Sequence, residues 1–161
     1  MILSAFTLFH VLLSLAGIVS GFVVAFGLLT AKWFEEWTAV FLWTTVATSA
    51  TGFLFPFHRF LASHALGILS FIVLAVALYA RYTRQRVGAW RRTYGVTAII
   101  VLYLNVFVLV AQLFRKVPVL EALAPTQSEP FKMTQLVVLA TFVGLGAFAT
   151  LRFRDEQLRT T

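Results

Sequence analysis

The sequence predicts an all-α integral membrane protein: a bundle of five transmembrane helices, N-terminus outside and C-terminus cytoplasmic. Three observations carry this reading. Hydrophobic residues make up 60% of the 161, above the roughly 45–50% of a soluble domain. Charged residues make up 12%, about half the usual share. The apolar residues fall in five long runs that hold no Asp, Glu, Lys or Arg. With a mean hydropathy of +0.90, a chain this small has too much surface for its volume to hide such a composition from water. An ordinary soluble enzyme, a disordered tail and a nucleic-acid-binding domain are excluded. The net charge of +7 therefore reads as membrane orientation, because the basic residues cluster at the ends of apolar runs.

The runs are Ala5–Thr30, Thr38–Pro56, Leu61–Ala80, Tyr94–Phe114 and Met133–Leu151, in one membrane domain over residues 1–161. A bilayer-crossing helix needs about 20 apolar residues, within a range of roughly 17–25. The first run is too long for a cleaved signal peptide, and its first charge, Lys32, follows the apolar stretch instead of preceding it. The second is the least apolar, with Thr38, Thr44, Thr45, Thr48, Ser49 and Thr51. Helix carbonyls one turn back accept from such hydroxyls, and the stripe through Thr44, Thr48 and Thr51 reads as a face turned toward other helices. Should this run not cross, the count falls to four. Pro56 closes it, and Phe57–Ser63 forms a tight outer hairpin. After the fourth run, Val117–Ala124 has helical spacing and lies on the membrane surface. Pro125–Pro130 then reads as an ordered turn.

Orientation follows from Lys and Arg in the short connections. Five spans put nine on the cytoplasmic side (Lys32, Arg81, Arg84, Arg86, Arg91, Arg92, Arg152, Arg154, Arg159). Four fall outside (Arg59, Arg115, Lys116, Lys132). Trp33, Trp37, Trp90, Tyr79, Tyr82 and Tyr94 fit a cytoplasmic interface belt, and Trp43, deeper, reads as packing.

The absent chemistry narrows function. No carboxylate or arginine lies inside a run, which disfavours proton pumping, ion-coupled transport and voltage sensing. There is no cysteine, and no P-loop, zinc-protease helix or nucleophile elbow.

Three histidines remain, His10, His58 and His64, all near the outer face on this topology. His10, Ser14, Gly17 and Gly21 form one helical stripe, in which the two glycines admit a close neighbour. His64 and Gly67 share a face likewise. Two inward histidines at similar depth can ligate a haem b iron from opposite sides, with Arg59, Arg115 or Lys116 pairing the propionates. With His58 they make a three-histidine copper or zinc site. The plainer reading is amphipathic interface histidines satisfied by water or a neighbour, and glycines that serve packing.

Asn105, Gln112 and Gln135 form a second polar set. Asn105 and Gln112 are seven apart and share a face. Either these amides bond between helices, or they line a polar pocket for a quinone or lipid headgroup beside a histidine, with Tyr103 and Phe107.

The stretches FTLFHVLLSLAGIVSGFVVAFGLL, TTVATSATGFLFPFHR, SHALGILS, LYLNVFVLVAQLF and APTQSEP resemble a group of small, functionally uncharacterised bacterial polytopic membrane proteins. The resemblance runs over nearly the whole chain and implies a bacterial inner-membrane address. The histidines on separate helices are similar in architecture alone to four-helix cytochromes b. The leading expectation is a small inner-membrane redox protein with haem b or a metal between His10 and His64. Two alternatives stand beside it. One is a cofactor-free accessory subunit of a larger membrane complex, or a homo-oligomer. The other is a passive channel or small-molecule carrier lined by Asn105 and the threonine-rich helix.

Overall fold

In a bilayer no water pairs the backbone, so a crossing segment must satisfy its own N–H and C=O groups as a helix. The structure, a computed structural model, describes residues 2–55, 62–126 and 128–159. It is 87% helix, with no strand among the described residues. The helices are α1 (Ile2–Leu29), α2 (Glu35–Gly52), α3 (Ala62–Leu78), α4 (Ala89–Lys116), α5 (Pro118–Leu123) and α6 (Glu129–Arg159). A π-helical turn, Tyr79–Thr83, extends α3.

Four segments are long and apolar enough to cross a membrane: Ser4–Leu29, His64–Thr83, Ala89–Lys116 and Glu129–Arg152. Five were expected. The second run does form a helix, α2, but Glu35 and Glu36 in its first turn and its six hydroxyl residues keep its hydropathy below that of the other four. The expected hairpin at Phe57–Ser63 falls largely outside the described residues, as do Pro56, His58 and Arg59. The helix expected within Val117–Ala124 is present as α5. Ser128 N–H donates to the Pro125 carbonyl at 2.9 Å, closing the expected turn.

Successive long helices run antiparallel. At Gly27 the chain reverses tightly: Lys32 N–H donates to the Gly27 carbonyl at 2.8 Å. A Cβ there would lie 2.7 Å from the Lys32 carbonyl oxygen, so only glycine fits. From Glu35, α2 returns along α1 until Thr51 meets His10. Then α3 runs back until Arg81 meets Glu35. The next reversal uses left-handed backbone at Gln85 (φ 48°) and Arg86 (φ 55°). Arg86 N–H donates to the Ala80 carbonyl at 2.9 Å. Finally α6 lies along α4, with Gln135 at Phe107, Phe142 at Tyr103 and Gly146 at Ile99.

The core lies where α1, α2 and α4 converge, with Phe41, Leu42, Leu102 and Tyr94 buried. A Cβ on Gly21 would lie 2.6 Å from Leu102 Cδ1 and 2.8 Å from Phe41 Cε2, so the absent side chain lets three helices meet. Around this core, Leu12, Phe22, Phe26, Val137 and Val143 point outward, an apolar exterior suited to lipid.

Two aromatic placements differ from expectation. Tyr94 is fully buried rather than at the interface, because α4 turns it under Trp33, with ring centroids 5.9 Å apart. Trp43 is exposed rather than packed. The inner face of α2 is occupied by Phe41, Leu42 and Thr45, and the helix turns about 100° per residue, which leaves Trp43 outside. Its indole N–H donates to the Tyr82 hydroxyl at 3.3 Å.

Candidate functional site

Call the two ends of the bundle the histidine end and the arginine end. At the first, His10 is half-buried on α1 and its Nδ1 lies 2.8 Å from Thr51 Oγ1 on α2. The Thr51 hydroxyl donates to the Ala47 carbonyl at 2.7 Å, one turn back. A hydroxyl has one proton, so Thr51 accepts from His10. With Thr51 as the acceptor, the imidazole carries its proton on Nδ1 and its Nε2 keeps a lone pair. The Phe55 ring stands edge-on to His10, with centroids 5.1 Å apart.

His64, buried, opens α3 with the Phe53 ring 5.8 Å away. That ring fills the notch at Gly67, where a Cβ would come within 2.9 Å of it. The end of α2 therefore touches both histidines, through Thr51 and Phe55 on one side and Phe53 on the other. A porphyrin clasped between His10 and His64 does not fit unless Phe53 and Phe55 are displaced. A single ion needs no such room. Among the described residues no three His, Cys, Asp or Glu side chains gather as a metal site. His58 and Arg59, the expected third ligand and propionate partner, lie outside those residues.

The amides do not form one pocket. Asn105 Nδ2 donates to Thr45 Oγ1 on α2 at 3.1 Å, and the Thr45 hydroxyl donates to the Phe41 carbonyl at 2.8 Å. A Cβ on Gly17 would lie 3.2 Å from Thr44 Oγ1 and 3.3 Å from Thr45 Oγ1. At this level α1, α2 and α4 are in close contact. Gln112 is half-buried two turns further along α4. Gln135 instead meets α4 from α6: its Nε2 donates to the Phe107 carbonyl at 3.2 Å. Tyr103 and Phe107 line a groove with Gln135, not with Asn105.

No protein-family model, curated protein or solved structure matches the chain. The resemblances to small bacterial membrane proteins and to four-helix cytochromes b gain nothing from these comparisons.

Sequence reasoning missed two sets of residues. Thr51 was expected to face other helices and Thr45 was taken only for a tolerated hydroxyl, but neither was paired with its partner: they meet His10 and Asn105. At the arginine end, the arginines were read for orientation alone. There, Arg81 Nη2 donates to the Glu35 carbonyl at 3.0 Å and to Glu35 Oε2 at 2.9 Å. Arg86 pairs with the other carboxylate oxygen and lies 4.3 Å over the Trp33 ring. The available signal was Glu35, an acid in the first turn of a helix that must begin beside those arginines.

Proposed function

We propose that the chain is a small bacterial inner-membrane protein of five spans, N-terminus outside, whose histidine end binds a transition-metal ion and serves electron transfer. His10 is the first ligand, and His64 and His58 complete the set. Copper suits electron transfer through imidazoles, zinc a structural role. The observation that carries this reading is the bond from His10 to Thr51. Metal-binding histidines usually donate their second ring N–H to an acceptor, which fixes the tautomer and turns the other nitrogen toward the metal. His10 has that arrangement, with Nε2 left to coordinate. Iron of a haem b is the less favoured occupant, because Phe55 stands against the His10 ring and Phe53 beside His64.

Five spans are supported by α2 itself. At 18 residues it is about 27 Å long, close to the roughly 30 Å hydrocarbon core, and it runs from the arginine end to the histidine end.

The test is metal analysis and visible spectra, oxidised and dithionite-reduced, on protein purified from native membranes, followed by Cu(II) titration read by electron paramagnetic resonance. Stoichiometric copper with imidazole hyperfine structure, lost in His10→Ala, is the expected result. A colourless, metal-free protein that binds Cu(II) no better than His10→Ala overturns it.

A second reading is favoured by a specific observation. His10, Asn105 and Gln135 each bond to a different helix, as polar side chains do when they hold a bundle together. On this reading the protein is a cofactor-free accessory subunit or homo-oligomer. It then co-purifies with a larger complex or as a defined oligomer, and His10→Ala changes stability alone.

A further inference from the structure

On the face away from α2, a groove runs between α4 and α6. One stretch, of about 390 Å³, lies between Ile99 and Ile100 on α4 and Val143, Gly146 and Ala147 on α6. Tyr103 and Leu139 join it to a second stretch of about 320 Å³, which ends at Phe107, Phe131, Lys132 and Gln135. Both stretches are mainly apolar, and Lys132 and Gln135 lie along the second.

The chemistry at that end is specific. Gln135 is only 8% exposed, and its Oε1 is buried with no donor among the described residues. Turning the amide over would set two acceptors 3.2 Å apart at the Phe107 carbonyl, so the orphan is the oxygen. A buried acceptor in hydrocarbon without a donor costs several kcal/mol, and the site therefore calls for a donor from outside the chain. Lys132 does not call for an anion, because its Nζ is already paired with Glu129 at 2.9 Å. Phe107 and Phe142 stand 6.0 Å and 5.7 Å from the Tyr103 ring, and Phe131 stands at the mouth. The fitting ligand has a neutral flat head, a hydroxyl donor on that head, and an apolar tail.

We infer that this groove binds a prenyl quinol, its ring among Tyr103, Phe107 and Phe131 and its tail along Ile99 and Val143, with the Gln135 side chain turning from its buried position so that Oε1 accepts from one quinol hydroxyl. A phospholipid tail alone leaves Gln135 unsatisfied, and its phosphate meets no free cation at Lys132. This site is independent of the histidine end and involves no metal.

The discriminating feature is redox preference in binding. A quinol donates to Oε1, whereas the quinone carbonyls in its place only accept. The experiment measures decylubiquinol and decylubiquinone binding to the full chain in lipid nanodiscs by isothermal titration, the quinol arm under argon. The wild type is expected to favour quinol about tenfold, the worth of one hydrogen bond of ~1.4 kcal/mol. Gln135→Leu abolishes the preference. Val143→Trp, a change on the lipid-exposed rim, blocks both forms while leaving the fold intact. Equal binding of the two forms, or a preference that survives Gln135→Leu, overturns the inference. So does displacement of both by phosphatidylglycerol, which would make the groove an ordinary lipid contact. A copper-free protein that still prefers quinol would refute the histidine reading without touching this one.

Discussion

Replacing Gly21 by alanine adds one methyl group where three helices meet. Its Cβ would lie 2.6 Å from Leu102 Cδ1 and 2.8 Å from Phe41 Cε2, well inside the roughly 3.5–4.0 Å of a good carbon contact. Neither neighbour can swing away, since Phe41 is 0% and Leu102 1% exposed. Overpacking of this kind costs about 1–3 kcal/mol. Alanine also gains about 1 kcal/mol over glycine from helix propensity, which would blur a single measurement. Gly144 supplies the control. It sits in α6 with nothing within 4 Å of its would-be Cβ, so Gly144→Ala carries the propensity gain alone. The difference between the two variants isolates the contact and is expected at about 1–3 kcal/mol, Gly21→Ala being the less stable. The assay is reversible unfolding in mixed micelles by dodecyl sulfate, followed by tryptophan fluorescence. Equal midpoints for the two variants would refute the close approach of α1 to α2 and α4 at this level.

Three further outcomes are expected. Glu35→Gln leaves the Arg81 guanidinium, whose side chain is 9% exposed, without its carboxylate. Glu35 itself is half-exposed, so the loss lies between the exposed and buried cases, at about 1–2 kcal/mol, and shrinks with added salt in the same unfolding assay. Asn105→Leu removes the bond to Thr45, and membrane hydrogen bonds average about 0.6 kcal/mol with a maximum near 1.7. A small destabilisation, with metal content unchanged, is the predicted result, and loss of copper in this variant would place Asn105 in the ligand site after all. Gly88→Ala meets no atom, but Gly88 has φ 58° and ψ −130°, a region open to glycine alone. Its cost of about 1–3 kcal/mol is pure backbone strain, and deletion of the loop contact at Arg86 should not relieve it.

The helices were legible because lipid demands long uncharged runs, and such runs are visible one residue at a time. The inward stripe of Gly17 and Gly21 was legible for the same reason, since its spacing of four is local. The partners were not. His10 to Thr51 spans 41 positions and Asn105 to Thr45 spans 60, and nothing in either neighbourhood marks which of six hydroxyls on α2 is the acceptor. Gln135 was grouped with Asn105 because both are amides within apolar runs. The structure separates them because α4 presents Asn105 to α2 and the Phe107 carbonyl to α6, on opposite sides. Tyr94 was misplaced because a tyrosine near a run's end fits an interface belt as well as a core, until Trp33 is known to cover it.

The hydroxyls of α2 lower its hydropathy without each costing an unpaired polar group. Its hydroxyls give their protons inward: Thr44 to the Val40 carbonyl at 2.6 Å, Thr45 to Phe41 at 2.8 Å, Thr51 to Ala47 at 2.7 Å. A hydropathy scale scores these side chains as if each had to leave water unpaired, but a bonded hydroxyl carries much less of that cost. The lone pairs left over accept from Asn105 and His10, so the polar residues of α1 and α4 are matched to the polar residues of α2. The outward residues of α2 include Trp37, Val40 and Trp43, which are aromatic or aliphatic. Hydroxyls turned inward beside Phe41 and Leu42, with Trp37, Val40 and Trp43 outward, suit a helix whose surroundings are lipid. The hydroxyls that, with Glu35 and Glu36, lower the hydropathy of α2 are thus also the groups that bind it between α1 and α4 and hold His10.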